Sequence, residues 1–306
     1  MGQATSRPAS GVPRFIAVPG PLPPGEPKPW PTYDYIIIGG GTAGCVLASR
    51  LSEDPRTTVL LIEAGNDFKD ALPTKIPFSF SHIFGTALDW KTYTVPQKGF
   101  NGRQAFWARG KVLGGTSYFL KGEKYRPSSG NRRVNPANHG RYGPRSIGFP
   151  SETAPINGYV MESCRELGLR DIDDINAGQG SLGVTKLPGT IDSDGRRSST
   201  ATAYLTDKVL SRPNLIVATD IMIQSLVFSD VVPPGQPPRV IGVQMNTAQD
   251  PQLYCCGANK EVILCAGTVG TPQLLMLSGV GPAEDLQRLG IPVVKHMPAV
   301  GRNVVD

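Results

Sequence analysis

Ten residues near the start of the chain, Tyr35 to Gly44, read YIIIGGGTAG and constrain the fold more than any other stretch. Four residues suited to a buried strand run into three glycines, and a helix-forming run, AGCVLASRL, follows at once. The order is strand, tight turn, helix. Gly39, Gly41 and Gly44 stand at G-x-G-x-x-G spacing. In that pattern the first glycine permits the turn, the second lets backbone approach a pyrophosphate, and the third lets helix pack on strand. Phosphates placed there meet unpaired N–H groups at a helix N-terminus, where the macrodipole favours negative charge.

Glycine spacing alone is weak in a chain with 36 glycines among 306 residues, so the context decides. A second strand, Val59 to Ile62, ends in Glu63, 19 residues after Gly44. A carboxylate at the tip of that strand can accept hydrogen bonds from ribose hydroxyls, as the dinucleotide fingerprint requires. The pattern therefore predicts a dinucleotide site, with FAD and NAD both open at this point.

The chain is long enough for a large core and two domains. Its hydrophobic content of 39% and charged content of 18% read as globular, while 29 prolines imply many loops. The net charge of +6 is spread without a run of five like charges, which gives no sign of nucleic-acid binding. Cys45, Cys164, Cys255, Cys256 and Cys265 form no C-x-x-C pair, so neither a zinc site nor a disulfide framework is expected. Cys45 and Cys265 read as small buried hydrophobes. An odd cysteine count and the lack of an N-x-S/T sequon favour a reducing, cytoplasmic setting.

Residues 1–30 are rich in Pro, Gly and Ser, and without an apolar run they read as a flexible leader, neither signal peptide nor transmembrane segment. MGQATS fits the myristoylation pattern with Gly2 as acceptor, and one such chain makes only a marginal anchor. Residues 65–108 read as loops and short strands with Trp90, Tyr93 and Trp107 packing. RGKVLGGTS, Arg109 to Ser117, follows; paired glycines let backbone run beside a bulky flat group, or form a turn. Residues 127–154 read as a loop or junction. A helix is expected over Ile156 to Leu167, with Val160, Cys164 and Leu167 on one face, and another over Ala201 to Leu210. Strands are expected at Leu215 to Ala218, Ser225 to Phe228, Val240 to Met245 and Glu261 to Cys265. Ala266 and Gly267 then lie at a strand tip ahead of a helix with Pro272 near its start.

YIIIGGGTAG with VLLIEAG (Val59 to Gly65), RGKVLGGTS, and AGTVGTPQLLMLSGVG (Ala266 to Gly281) resemble the FAD motif and two characteristic motifs of the glucose–methanol–choline (GMC) oxidoreductases. DWKTYTVPQ, HGRYGP, GRRSSTATAYL, RPNLIV and PAVGRNVVD follow in the family's order, so the resemblance covers residues 33 to 306. It implies FAD, with Gly39, Gly41, Thr42, Ala43 and Gly44 holding the pyrophosphate and Glu63 and Ala64 the adenosine ribose. Gly114, Gly115 and Thr116 would pass beside the flavin near Trp90. Ile223 would offer its backbone to adenine, and Ala266 and Gly267 would contact the same cofactor. The implied fold is α/β: a Rossmann-like FAD-binding domain with a mostly parallel sheet, from residues 31–126 and 195–306, and a partial, mainly antiparallel substrate domain from 127–194.

The resemblance implies oxidation of an alcohol to an aldehyde or ketone. An active-site His takes the hydroxyl proton, hydride goes to flavin N5, and oxygen or another acceptor resets the flavin. Three departures bear on this. Leu120 stands where the family carries an Asn near the flavin, the interval from Arg126 to His139 is short, and the family's catalytic His lies beyond Asp306. His82, His139 and His296 match no catalytic position, so no catalytic residue is assigned. The chain alone is expected to be weakly active or inactive, the alternative being a truncated non-catalytic flavin-binding protein or pseudoenzyme.

Overall fold

The computed structural model describes residues 16–17, 30–67, 75–76, 79–116, 123–126, 139–149, 154–174, 182–247 and 250–304. The first half contains β1 (Ile16–Ala17), β2 (Thr32–Ile38), α1 (Thr42–Leu51), β3 (Val59–Ile62), β4 (Thr92–Tyr93) and β5 (Phe106–Trp107). Next come β6 (Glu123–Arg126), β7 (Arg145–Gly148), α2 (Ile156–Glu166), α3 (Thr200–Tyr204), α4 (Asp207–Leu210) and β8 (Leu215–Ala218). The remainder is β9 (Ile221–Phe228), β10 (Val240–Thr247), β11 (Tyr254–Leu264), α5 (Gly267–Leu277), β12 (Val280–Gly281), α6 (Ala283–Arg288) and β13 (Lys295–His296).

One seven-stranded sheet runs in the order β8-β3-β2-β11-β10-β9, with β1 beside the start of β11. β8, β3, β2 and β11 are parallel, and β9, β10 and the first half of β11 form an antiparallel meander. The unbroken apolar runs of β2 and β3 suit parallel strands covered on both faces. Alternate side chains supply two cores. Ile37, Val59, Leu61, Leu215 and Val217 pack with Cys45 and Ala48 of α1 and Leu205 and Val209 near α4. Ile36, Ile38, Leu60, Ile62 and Ala218 pack with Val243 and Met245 of β10 and Leu274 of α5. Each Val, Leu, Ile or Met among them contributes about 1.5–3 kcal/mol by leaving water.

The carbonyls left unpaired where α1 ends are taken up by the approach to β8. Arg212 Nη1 donates to Ser49 O (2.6 Å) and Ser52 Oγ (2.7 Å), and Asn214 Nδ2 lies 2.8 Å from Thr57 O. These contacts set β8 beside β3 and so align the strand tips that open on the site.

Three elements differ from the sequence expectation, the first being β9, expected from Ser225 but starting at Ile221. The strand expected at Glu261 to Cys265 starts at Tyr254, because it changes partners midway: residues 254–257 pair with β10 and 257–264 with β2, across a register shift between Ala258 and Glu261. Gly257, Asn259 and Lys260 at that changeover interrupt the apolar pattern. The single helix expected over Ala201 to Leu210 is two, since Thr206 is extended (φ −66°, ψ 161°) between α3 and α4.

In the middle of the chain β6 and β7 pair in parallel, and bridges of both senses join residues near 148, 171, 189 and 191. His139 is buried there, stacked on Tyr125 (4.1 Å between ring centres), with Nε2 2.9 Å from Asp174 Oδ2. α2 has no buried residue, and Ile156, Tyr159, Val160 and the following Leu167 are all exposed. Gly2, Leu120 and nearly all of the interval between Arg126 and His139 lie outside the described residues. Among the described residues no helix is long and apolar enough to cross a membrane.

Candidate dinucleotide-binding cleft

Of the three motif glycines between β2 and the first turn of α1, two are held to glycine by their neighbours and one is not. Gly39 has φ +99°, and a Cβ there would stand 2.4 Å from Cys265 O at the end of β11. A Cβ on Gly44 would meet Gly39 O at 1.9 Å, so the first turn of α1 rests directly on the glycine turn. Gly41 has ordinary extended dihedrals (φ −81°, ψ −155°), and the nearest atom to its Cβ would be Gly115 Cα at 3.8 Å. Among the described residues nothing demands glycine at 41. The space above it belongs to a cleft.

A second loop, residues 109–116, lies against this turn backbone to backbone. Gly114 N–H donates to Gly40 O (2.7 Å), and a Cβ on Gly115 would stand 2.8 Å from Gly41 Cα. Both glycines have positive φ, +102° and +53°, which favours residues without a side chain. Gly110 N–H closes the loop onto Thr116 Oγ1 (3.0 Å), and Thr200 Oγ1 supports it from below through Gly114 O (3.2 Å).

Glu63 is buried at the tip of β3 and does a structural task that its sequence position did not announce. Its Oε2 accepts the Gly40 N–H (2.7 Å) and its Oε1 the Gly65 N–H (2.9 Å), tying the strand tip to the glycine turn. Burial pushes its carboxyl above the usual range, opposed by those N–H groups and by the Lys111 charge. Asp89 is also buried, yet the N–H groups of Gly85, Lys91 and Arg109 overcome burial and hold its carboxyl below the usual range. Asp89 thereby fixes Trp90, whose N–H bonds Arg109 O (3.0 Å).

These elements and the tips of β9, β11 and α5 enclose a cleft of about 830 Å³. Of the residues singled out from the sequence, Gly39, Gly41, Thr42, Ala43, Glu63, Ala64, Trp90, Gly115, Thr116, Ile223, Ala266 and Gly267 line it. Gly44 and Gly114 lie beneath, where they pack the wall. Ile223 is on β9, the last strand of the sheet. Ile221 N–H turns away from β10 to bond Glu63 O (3.1 Å), and the two-residue period of a strand sends the Ile223 backbone to the same open side.

Both long helices that reach the cleft start without a side-chain cap: Gly41 precedes α1 and Ala266 precedes α5. Pro272 lies in the second turn of α5 rather than at its start; it has no N–H for the Thr268 carbonyl, and Thr268 lines the cleft. Arg109, not singled out in advance, also lines it. Its Nε is buried and has no hydrogen-bond partner among the described residues, and its guanidinium lies 5.8 Å from the Trp90 ring centre. Burial lowers its pKa, opposed by Asp89. The only advance signal was its place at the head of RGKVLGGTS.

A bare glycine under open space, two uncapped helix starts and an orphaned buried guanidinium N–H are what a diphosphate would complete, while Glu63 keeps acceptor capacity for a hydroxyl. The residues present therefore fit a dinucleotide. None of the three histidines lines the cleft: His82 is exposed, His139 bonds Asp174, and His296 Nδ1 accepts the Ala283 N–H (3.1 Å).

Comparison with known proteins agrees with this geometry. The profile described as GMC oxidoreductase matches residues 33–306. Dehydrogenase str4 of Strobilurus tenacellus is 39% identical, over 92% of this chain and 51% of its own length. An oxygen-dependent choline dehydrogenase of Klebsiella pneumoniae is 35% identical, over 90% of this chain and 53% of its own. Among solved structures, an FAD-dependent oxidoreductase from Chaetomium thermophilum superposes with a TM-score of 0.78 at 31% identity, covering 89% of this chain and 52% of that one. Pyridoxine 4-oxidase from Mesorbium loti gives 0.73 at 31%, covering 89% and 56%. The chain thus spans about half the length of these relatives.

Proposed function

The chain belongs to the GMC oxidoreductase family, and from that premise we propose that its cleft binds FAD as part of an oxidoreductase that converts an alcohol to an aldehyde or ketone. When bound, FAD supplies the acceptor for hydride from the carbinol carbon. The observation that carries the assignment is the space over Gly41, continuous with Glu63 on one side and the start of α5 on the other.

The chain's own residues do the holding. The N–H groups at the starts of α1 and α5 and the Arg109 guanidinium balance the negative charge of a diphosphate. Glu63 would accept from a ribose hydroxyl while keeping the turn in register, and the Ile223 backbone would hold the adenine. Gly115, Thr116 and Trp90 would hold the ring system.

Proton abstraction is a separate matter. With His82, His139 and His296 all outside the cleft, this chain brings no imidazole to a bound alcohol, so by itself it retains flavin and turns over weakly or not at all. The test is equilibrium dialysis of the purified chain against FAD and NAD, followed by anaerobic addition of a panel of alcohols. We expect FAD retained near one per chain, NAD not retained, and no alcohol-dependent bleaching. Retention of NAD in place of FAD would overturn the cofactor assignment, and rapid bleaching would overturn the inactivity of the chain alone.

A further inference from the structure

Glu63 is a buried carboxyl whose two oxygens are already engaged by the Gly40 and Gly65 N–H groups, and among the described residues no cation touches it. A neutral carboxyl would carry a proton where one of those N–H groups now points, and it would lose acceptor capacity toward a ribose hydroxyl. Burial favours that neutral form. A positive charge close by opposes it.

The loop that carries Arg109 brings that charge. Lys111 lies backbone to backbone against the residues that follow Glu63: a Cβ on Gly65 would stand 2.1 Å from Lys111 O, and Val112 bridges to Asn66. Lys111 N–H donates to Leu88 O (2.7 Å) and Leu113 N–H to Asn66 O (3.1 Å), so the loop is held on both sides of the lysine. The ammonium stands 5.1 Å from the ring centre of Trp90, which lines the cleft, whereas Lys111 itself does not line it.

Two carboxyls feel this ammonium. Burial raises both Glu63 and Asp220, and the Lys111 charge opposes the rise at each. Asp220 sits at the turn from β8 to β9, where its Oδ2 accepts from Asn66 Nδ2 (2.8 Å) and its N–H donates to Gly65 O (3.0 Å). The remaining titratable neighbours are thiols. Burial pushes Cys45 of α1 up to about 12 and raises Cys265 at the end of β11, so neither ionises where carboxyls titrate. Arg109, on the same loop, is coupled to Asp89 instead.

We propose, on the FAD reading of the cleft, that Lys111 is a positioning residue: without touching the cofactor, its ammonium keeps Glu63 ionised and so preserves the acceptor for the adenosine ribose as pH falls.

The experiment measures FAD dissociation constants of the full chain from about pH 4 to pH 8, the span in which a raised carboxyl titrates. Lys111→Met should match the parent on the alkaline plateau and bind FAD roughly tenfold more weakly on the acid limb, because removing an opposite charge favours the protonated carboxyl. Lys111→Arg should restore the parent profile. In a Glu63→Gln background, Lys111→Met should add no pH-dependent loss. Carbon NMR of the flavin-free chain gives a readout without cofactor: the Glu63 carboxyl signal, identified by its absence in Glu63→Gln, should titrate at higher pH in Lys111→Met. If Lys111→Met does not fold, Lys111→Gln, neutral and polar, takes its place. A loss of affinity that is the same at every pH, an unmoved Glu63 titration, or an acid-limb effect that persists without Glu63 would each overturn the proposal. A parent chain that retains no FAD at any pH would overturn the cofactor assignment and the ribose role with it, and the flavin-free titration would still separate that failure from failure of the charge relation between Lys111 and Glu63.

Discussion

The carbonyl oxygen of Gly39 lies 1.9 Å from where a Cβ on Gly44 would be, while the nearest atom to a Cβ on Gly41 is 3.8 Å away. Two glycines of one motif are therefore there for different reasons. One closes a contact inside the protein, and the other faces space that no described residue fills.

That difference predicts opposite behaviour for two alanine variants. Gly44→Ala forces α1 off the turn, backbone against backbone, and should lower unfolding free energy by roughly 2 kcal/mol or more. Gly41→Ala should leave urea unfolding of the flavin-free protein within about 0.5 kcal/mol of the parent, while weakening FAD binding at least about tenfold by filling the space a phosphate would approach. Equal losses of stability in the two variants would refute the assignment of roles.

Arg109 offers a test in which stability and affinity move apart. Its buried Nε has no partner among the described residues, so Arg109→Met removes an unsatisfied donor and should leave the flavin-free protein as stable as the parent or more so. A hydrogen bond to a charged group contributes about 1.5–3 kcal/mol, which corresponds to a loss in FAD affinity of roughly 10- to 100-fold. Riboflavin, which lacks phosphate, should bind both proteins alike. A matching loss for riboflavin would place Arg109 against the ring system instead.

Why the sequence was informative in some places and silent in others follows from what each signal encodes. The turn at Gly39 to Gly44 and the buried run Val59 to Ile62 were legible because their requirements are local: sterics at a glycine and a strand apolar on both faces. Glu63 could be placed at a strand tip, but not seen to bond Gly40 and Gly65, since that depends on two chain segments meeting. The early start of β11 was hidden because a strand that exchanges one partner for another carries two half-patterns with Gly257 and Lys260 between them. Arg109 is not legible in the sequence because an orphaned donor is a property of its surroundings, not of its residue type.

Thiol reactivity should single out one cysteine. Burial pushes Cys45 up to about 12 and Cys255 up to about 11, and raises Cys256 and Cys265 as well. Cys164 is half-buried on α2, which has no fully buried residue. A disulfide exchange reagent at neutral pH should therefore modify Cys164 first, and all five thiols only on unfolding. Cys265 lines the cleft, and any slow labelling there should disappear when FAD is bound. First labelling of a strand cysteine, Cys255 or Cys256, would show that β11 opens locally.

Glu63 and Asp89 make the strongest pH prediction because their surroundings act in opposite directions. Burial raises the Glu63 carboxyl in the folded protein, so its contribution is present in full below its unfolded pKa and is lost as pH rises through the folded value. Three N–H groups lower the Asp89 carboxyl, so its contribution is present above its unfolded pKa and is lost as pH falls through the folded value. Glu63→Gln and Asp89→Asn remove these dependences one at a time. Each also leaves an N–H facing an amide NH2, at a cost of about 1–3 kcal/mol. Urea unfolding of the flavin-free proteins from pH 3 to pH 8 (roughly the span over which folded carboxylates titrate) should show the deficit of Glu63→Gln shrinking as pH rises above the ordinary glutamate carboxyl value of 4.5. The deficit of Asp89→Asn should shrink as pH falls below 3.8. Deficits that ran parallel with pH would mean that the two carboxylates experience the same field, and that the N–H cluster holding Trp90 to Arg109 is not formed in solution.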